Sequence, residues 1–456
     1  MENLAGSLKA MRNGNNIDIL ITGGILLTMS NSMEVVENPA IGIRDGKILF
    51  VDTGYDPQSN PYNAGEVIDA AESIIMPGLI NTHTHLPMTC FRGLADDIPL
   101  KDWLNNYIFP AEAKYLNKDT AYYGAMLAIA EMILSGTTTF CDGYFFESSV
   151  ARAAKDAGMR AVCCQGFVDF PAPDNPDSAS NIQIAESFIA SWHDVSGLIS
   201  PALFCHAAYT CSPKTLRDIK QIARNSKTLF LTHLSETISE VEELKQQYGN
   251  TPVRHLHSLG ILDDFTIAVH CNFVDEDEIK MLADCGVKVS HNPESSMKLG
   301  AGVAPVPAML KQGVIVGLGT DGCASNNDLD LLLEMDTAAK IHKLTTMDPT
   351  VMDAATVLRM ATIDGAKLLG LEGKTGSIEV GKCADIIILD TNKPHLTPMY
   401  NCYSHIVYSA SGSDISTSII DGKIIMKDRR LLNMDIFDIM DRVRKIASNI
   451  GNHYSA

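Results

Sequence analysis

The chain has 456 residues, of which 46% are hydrophobic and 20% charged, and its formal net charge is −19. That length holds one large domain plus a smaller one. The acidic balance offers no basic footprint for nucleic acid or an anionic membrane, and no run of about 18 apolar residues marks a membrane span.

The first sixteen residues, MENLAGSLKAMRNGNN, lack the apolar core of a signal peptide and read as a loosely ordered leader. Residues 17–76 carry IDILITGGILLTM, AIGIRDGKILFVD and EVIDAAESIIM, β-rich runs with a hairpin signal at Asp45-Gly46. Eight further β-rich runs follow: 74–85, 137–144, 160–167, 199–207, 228–236, 265–272, 287–295 and 314–322. Most are continuously apolar, as expected of strands buried on both faces. Helix-like stretches separate them, such as 119–136 with Gly136 placed to end it. Strands alternating with helices imply parallel pairing, and eight units predict an α/β fold, a (β/α)8 barrel over 77–376. Residues 377–432 return to short β-runs with a second Asp-Gly at 421–422. Neither flank holds enough strands for a stable sheet alone. Together, 17–76 and 377–432 are expected to form one small β-sandwich domain. Residues 433–456 read as an amphipathic helix and tail.

The 11 cysteines are scattered and show no Cys-x-x-Cys spacing. They read as small core residues of a reduced, cytoplasmic chain. The absence of Pro-Cys-x-x-Cys also excludes the zinc deaminases that carry that signature.

Five polar residues stand near the C-terminal ends of four apolar runs, the end at which barrels build their sites. His83 and His85 are two apart and so share a strand face. His233 follows TLFLT, His270 follows TIAV, and Asp321 follows VIVGLGT. A lone histidine of this kind is more often a hydrogen-bonded structural residue, but five in this order read as a metal site. Imidazoles with one carboxylate suit a divalent borderline ion such as zinc, with iron or manganese also compatible. The reaction expected of such a site is attack by metal-activated water on an electrophilic carbon. Glu236, three residues beyond His233, is placed to shuttle protons beside the metal; the bland reading is a solvated charge at a helix start.

The motifs that carry a family resemblance are NTHTHLPM (81–88), Arg92-Gly93, Asp102-Trp103-Leu104, Pro110-Ala111-Glu112, THLSET (232–237), His270-Cys271, HNPESSMKL (291–299) and GTDGCASNN (319–327). With them the chain resembles the amidohydrolase superfamily, and more narrowly its 5-methylthioadenosine/S-adenosylhomocysteine deaminases, over nearly its whole length. The resemblance implies one metal ion held by His83, His85, His233 and Asp321. It implies that Glu236 relays protons, that His270 orients the attacking water, and that Asp321 helps protonate the departing amine. It also implies that His206 contacts the purine and that Glu112 binds the ribose hydroxyls; a carboxylate accepting from a vicinal diol is chemically sensible. Trp103 either lines the pocket or packs beneath its loop. His291 reads equally well as a structural hydrogen-bonding residue.

Some relatives hold a homocysteine carboxylate with arginines after the third strand. Residues 168–187 here contain no Lys or Arg, which predicts a preference for methylthioadenosine or adenosine over S-adenosylhomocysteine. The expected activity is therefore metal-dependent hydrolytic deamination of a 6-aminopurine nucleoside, with ammonia released. The alternatives are a deaminase or chlorohydrolase acting on a free heterocycle (guanine, a pterin or a triazine), and a non-catalytic assembly protein on the same barrel. Glu112 separates the first two, because a free base has no diol. The partners expected are a small-molecule substrate and further copies of the chain.

Overall fold

The computed structural model describes residues 16–53 and 62–454, so the expected leader lies outside the described residues apart from Asn16. Eight strands form one parallel sheet in sequential order. They are β1 (Leu79–Thr84), β2 (Thr137–Tyr144), β3 (Arg160–Phe167), β4 (Ile199–Ala207), β5 (Phe230–Leu234), β6 (Thr266–His270), β7 (Lys288–His291) and β8 (Val316–Leu318). Every residue of β2 and of β3 is buried, which is why these runs are apolar throughout. The first and last strands meet at one end. Thr84 bridges Asp321 in parallel, the Asp321 amide donates to the His83 carbonyl at 3.0 Å, and Asn81 Nδ2 donates to Thr320 Oγ1 at 2.8 Å. The sheet is thus a nearly closed (β/α)8 barrel.

The run expected as one strand over 74–85 divides at Gly78. Ser73–Pro77 pairs antiparallel with Ile386–Asp390 in an outer sheet, and only Leu79–Thr84 joins the barrel. The Gly78 amide donates to Asp385 and the Leu79 amide to Gly136, so the chain changes partners within one residue. A side chain at Gly78 would collide with Thr138, its Cβ lying 2.1 Å from Oγ1, so the crossing needs glycine. The later expected runs are longer than their strands. Their last residues leave the ladder to form the site.

The outer strands make two sheets. One has Asn16–Thr22, Pro39–Arg44, Lys47–Thr53 and Asn63–Asp69; the other joins Ile25–Leu27, Val35–Glu37 and Ser73–Pro77 to Ile386–Asp390, Ile415–Ile420, Lys423–Lys427 and Arg430–Leu431. Ile19, Ile21, Ile41 and Ile43 of the first share a buried cluster with Leu26, Ile75, Ile386, Ile388 and Ile419 of the second. Both Asp-Gly pairs form the expected hairpin turns with positive φ, and the turns touch: a Cβ on Gly422 would lie 2.5 Å from Gly46 Cα. Arg160 at the start of β3 donates to Asp385 through Nε (2.7 Å) and Nη2 (3.1 Å), a buried ion pair between barrel and outer sheet.

The helix expected at 119–136 spans Lys118–Leu134, capped by the Asn117 side chain and ended by Gly136 at φ +92°. The terminal helix covers Ile436–Tyr454, and Ile450 packs into the cluster that holds Trp103 and Leu116. Among the described residues no helix is long and apolar enough to cross a membrane.

Candidate active site

His83 lies within β1 and His85 one residue past its end, on the same face. Further round the barrel, His233 is the penultimate residue of β5, and Asp321 stands three residues beyond β8. His83 Nε2 is 3.3 Å from His233 Nε2, while Asp321 Oδ1 is 3.3 Å from His85 Nε2 and 3.6 Å from His83 Nε2. His85 Nδ1 is 2.7 Å from the Gly143 carbonyl, so Nδ1 carries the proton and Nε2 presents a lone pair.

Burial lowers the affinity of two imidazoles, those of His83 and His233, for protons, His83 to about 4 and His233 well below the usual range. They stand neutral. Burial works against charge on Asp321 too, but the surrounding imidazoles of His83, His85 and His270 outweigh it and hold the carboxyl well below its usual range. Neutral imidazole nitrogens and a carboxylate oxygen aimed at one point repel each other unless a cation lies among them. His83, His85 and His233 present ligand atoms within 4.8 Å of one another, a cluster that fits a divalent metal ion, and Asp321 Oδ1 stands beside the first two.

The two oxygens of Asp321 have different surroundings. Oδ1 faces the histidines and accepts the Gly322 amide at 2.8 Å. Oδ2 accepts from Ser295 Oγ at 2.7 Å and lies 4.0 Å from His270 Nε2. Asn292 Nδ2 donates to His270 Nδ1 at 3.3 Å, which leaves the Nε2 proton facing Asp321 and Glu236 Oε1, the latter at 3.8 Å. Burial, with Asp321 and Glu240 nearby, raises Glu236 well above the ordinary carboxyl range. Its backbone is fixed from both sides: its amide donates to Glu240 Oε2 at 2.7 Å, and its carbonyl accepts from Asn272 Nδ2 at 3.0 Å. Ser235, His270 and Asp321 all have positive φ (51°, 74° and 62°), the left-handed backbone that ends each strand and turns its side chain over the barrel mouth.

A cavity opens above these groups. Eight of the nine sequence-expected site residues line it: Trp103, Glu112, His206, His233, Glu236, His270, Asp321 and His85. His83 lies beneath, fully buried. Trp103 lines the space while its Nε1 donates to the Ala95 carbonyl at 3.0 Å, combining both alternatives read for it. His206 Nδ1 is 2.9 Å from Thr210 Oγ1. Glu112 is buried and takes a short hydrogen bond from the Tyr144 hydroxyl; burial pushes its carboxyl up to about 8 against the effect of that bond.

Tyr144 and Ser295, which hold Glu112 and Asp321, were not expected from sequence. Tyr144 is the last residue of β2, and its place at the C-terminal end of a barrel strand is the signal that could have found it. Ser295 stands in HNPESS with no signal pointing to Asp321. Phe109 and Tyr209 also line the cavity from outside the motifs. His291 does not line it; its Nε2 is 3.0 Å from that of His342, within the wall.

A family profile described as "Amidohydrolase family" matches residues 74–425, and the chain belongs to that family. Its similarity to individual members extends over both chains. It is 48% identical over 433 residues to a 5-methylthioadenosine/S-adenosylhomocysteine deaminase of Syntrophobacter fumaroxidans, covering 95% of this chain and 98% of that one. It is 42% identical over 434 residues to a 5'-deoxyadenosine deaminase of Methanosarcina mazei, with the same coverage. The crystal structure of an adenosine deaminase from Xanthomonas campestris with bound zinc superposes with a TM-score of 0.94 at 36% identity, covering 96% of this chain and all of the other.

Proposed function

We propose that this protein hydrolytically deaminates 6-aminopurine nucleosides, with one zinc ion per subunit held by His83, His85, His233 and Asp321. The observation that carries the reading is Glu112, a buried carboxyl presented to the same cavity as the converging metal donors. It suits a substrate with a hydroxyl pair at one end and an electrophilic ring carbon at the other. The relatives named as nucleoside deaminases support the same class.

When bound, a divalent ion supplies Lewis-acid activation, bringing the pKa of a coordinated water to about 7 with zinc. The chain's own groups do the rest. Glu236 takes the proton of the attacking water and delivers it to N1 of the ring as C6 becomes tetrahedral. His270, its Nε2–H directed at the reacting centre, orients the water. Asp321 Oδ2, held by Ser295, takes the remaining proton of the C6 hydroxyl as the carbonyl forms and hands it to the departing amine; the C6–N bond breaks and ammonia leaves. Glu112 accepts from the ribose hydroxyls, His206 contacts the purine, and Trp103 closes the wall of the pocket.

Next to Glu112, the cavity continues into a space lined by Phe109, Phe170, Pro171 and Pro173. Among the described residues, neither this space nor the main cavity is lined by Lys or Arg. Asp169 and Asp174 of the same loop are turned to internal donors, Ser212 and Thr215 for the first and Phe146 and Gln165 for the second. Lys101, which lines an adjoining space with Phe109 and Phe170, is paired with Glu243 at 3.2 Å, so a tail bearing a carboxylate finds no unpaired cation there, whereas a methylthio or hydroxyl group meets an apolar and aromatic wall. The test is ammonia release from adenosine, 5'-deoxyadenosine, methylthioadenosine, S-adenosylhomocysteine, adenine and guanine, with zinc content measured. Nucleoside turnover well above free-base turnover is expected. Preferential turnover of guanine would overturn the reading.

A further inference from the structure

Behind His85, on the side away from the cavity, stand two buried carboxyls that the chemistry above leaves unused. Asp142 of β2 and Glu147, the first residue of the helix Glu147–Ala157, are both fully buried. Neither lines the cavity. The largest influences on Glu147 are Asp142, Cys141 and Cys163, and those on Asp142 are His85, Leu86, Thr84 and Glu147; among the described residues no Lys or Arg forms an ion pair with either carboxyl.

Asp142 Oδ1 accepts the Leu86 amide at 2.6 Å and Thr84 Oγ1 at 2.8 Å. The carbonyl of the next residue, Gly143, takes His85 Nδ1 at 2.7 Å. Two successive residues of β2 therefore hold three successive residues, Thr84 to Leu86. They do so where the backbone ladder between β1 and β2 becomes irregular, between Asn81 and Thr84. Side chains take over where the sheet stops fixing the chain.

Asp142 Oδ2 and both Glu147 oxygens find no hydrogen-bond partner at full bonding geometry, although the two carboxyls lie against each other. Two adjacent carboxyls in a dry interior with no cation cannot both be charged. Burial raises Asp142 to about 6 and raises Glu147 well above the ordinary range, and Asp142 raises Glu147 further. Glu147 is the acid of the pair, with an O–H to give to Oδ2. An apolar side chain would fill the same space without the desolvation cost, so packing alone does not explain a glutamate there.

We propose that Asp142 and Glu147 are positioning residues for the metal ligand His85: Glu147 fixes the Asp142 carboxylate, and Asp142 fixes the turn that carries the imidazole. The inference rests on the reading of His83, His85, His233 and Asp321 as metal donors. Groups behind a metal-binding histidine typically change metal affinity by about 10–100-fold when removed.

The test is the rate at which a chelator strips zinc from the full-length holoenzyme, with the fold of each variant checked by circular dichroism. Asp142→Ala and Glu147→Leu should lose zinc at least about tenfold faster than wild type. Glu147→Gln, whose amide N–H replaces the acid O–H, should stay within about twofold. The cobalt-loaded protein should show a shifted visible band in Asp142→Ala and an unshifted one in Glu147→Gln, a difference that loss of packing alone does not produce. If Asp142→Ala does not fold, Thr84→Val decides, and it should still release zinc faster than wild type. Wild-type release from a folded Asp142→Ala or Thr84→Val, or equal loss in the Gln and Leu variants at Glu147, would overturn the inference. A wild-type protein that takes up no zinc would instead remove the metal reading beneath it.

Discussion

Glu236 and Glu112 are both buried carboxyls, and their neighbours give them different work. Glu236 faces His270 and Asp321 and has its backbone pinned by Glu240 and Asn272. That setting suits a group that takes and returns a proton. Glu236→Gln should lower kcat by roughly 10²–10⁴-fold with zinc content unchanged, as measured by ammonia release and metal analysis. Turnover at the wild-type level would take Glu236 out of the mechanism. Glu112 faces Tyr144, and burial raises it to about 8. Because its value is raised, the carboxylate that accepts from a ribose diol is fully present only above that pH. KM for adenosine should therefore fall between pH 7 and 9 and lose this dependence in Glu112→Gln. Glu112→Ala should depress nucleoside turnover far more than any residual free-base turnover; an equal loss for both would separate Glu112 from the ribose.

At the level of elements, most of the candidate site residues gather at the C-terminal ends of β1, β4, β5, β6 and β8, among the last residues of the strand or just past them. His270 and Asp321 leave their strands with left-handed backbone, so the side chains turn inward over the mouth. The join between barrel and outer sheets is equally local. At Gly78 the chain passes from one sheet to the other, and the buried Arg160–Asp385 pair spans the same seam. Asp385 also accepts the Asp421 amide at 2.7 Å, which ties in the second Asp-Gly turn. Arg160→Met leaves a buried carboxylate without its cation, and it should destabilise the fold by about 3–5 kcal/mol in denaturant titration. The folded fraction should keep its kcat/KM, since the pair lies outside the cavity lining. A loss below about 1 kcal/mol would mean that the seam is held by apolar packing instead.

For the molecule as a whole, the proposed metal donors come from β1, β5 and the segment beyond β8, so an ion held by them would clasp the barrel where its first and last strands meet. Removing zinc should lower the thermal midpoint, and adding it back should restore it. Free zinc at 100 times its Kd contributes about 2.7 kcal/mol. Equal midpoints with and without chelator would argue against a bound ion. Substrate choice is also a property of the assembled walls. The space beyond Glu112 combines residues of the segment before the helix Lys118–Leu134 with the loop after β3. kcat/KM should favour methylthioadenosine or adenosine over S-adenosylhomocysteine, and a clear preference for S-adenosylhomocysteine would show that a cation reaches the tail from elsewhere.

Local rules decided much of this in advance. Continuous apolar runs ended by His, Glu and Asp marked the barrel and the polar residues that gather at its mouth, because a strand buried on both faces admits polar residues only where it emerges. Asp-Gly marked both hairpins, because few other pairs adopt two successive positive φ angles. Other features depended on partners distant in sequence. Nothing in IIMPGLINTHTH shows that Pro77 and Leu79 serve different sheets, since that depends on Asp385 and Gly136. Nothing near Glu112 names Tyr144, and nothing near His85 announces Asp142 with Glu147 behind it. The ends of strands follow from each residue's own chemistry. Which carboxyl is held, by which donor and in how dry a setting, is fixed only when segments far apart in the chain are packed together and water is excluded.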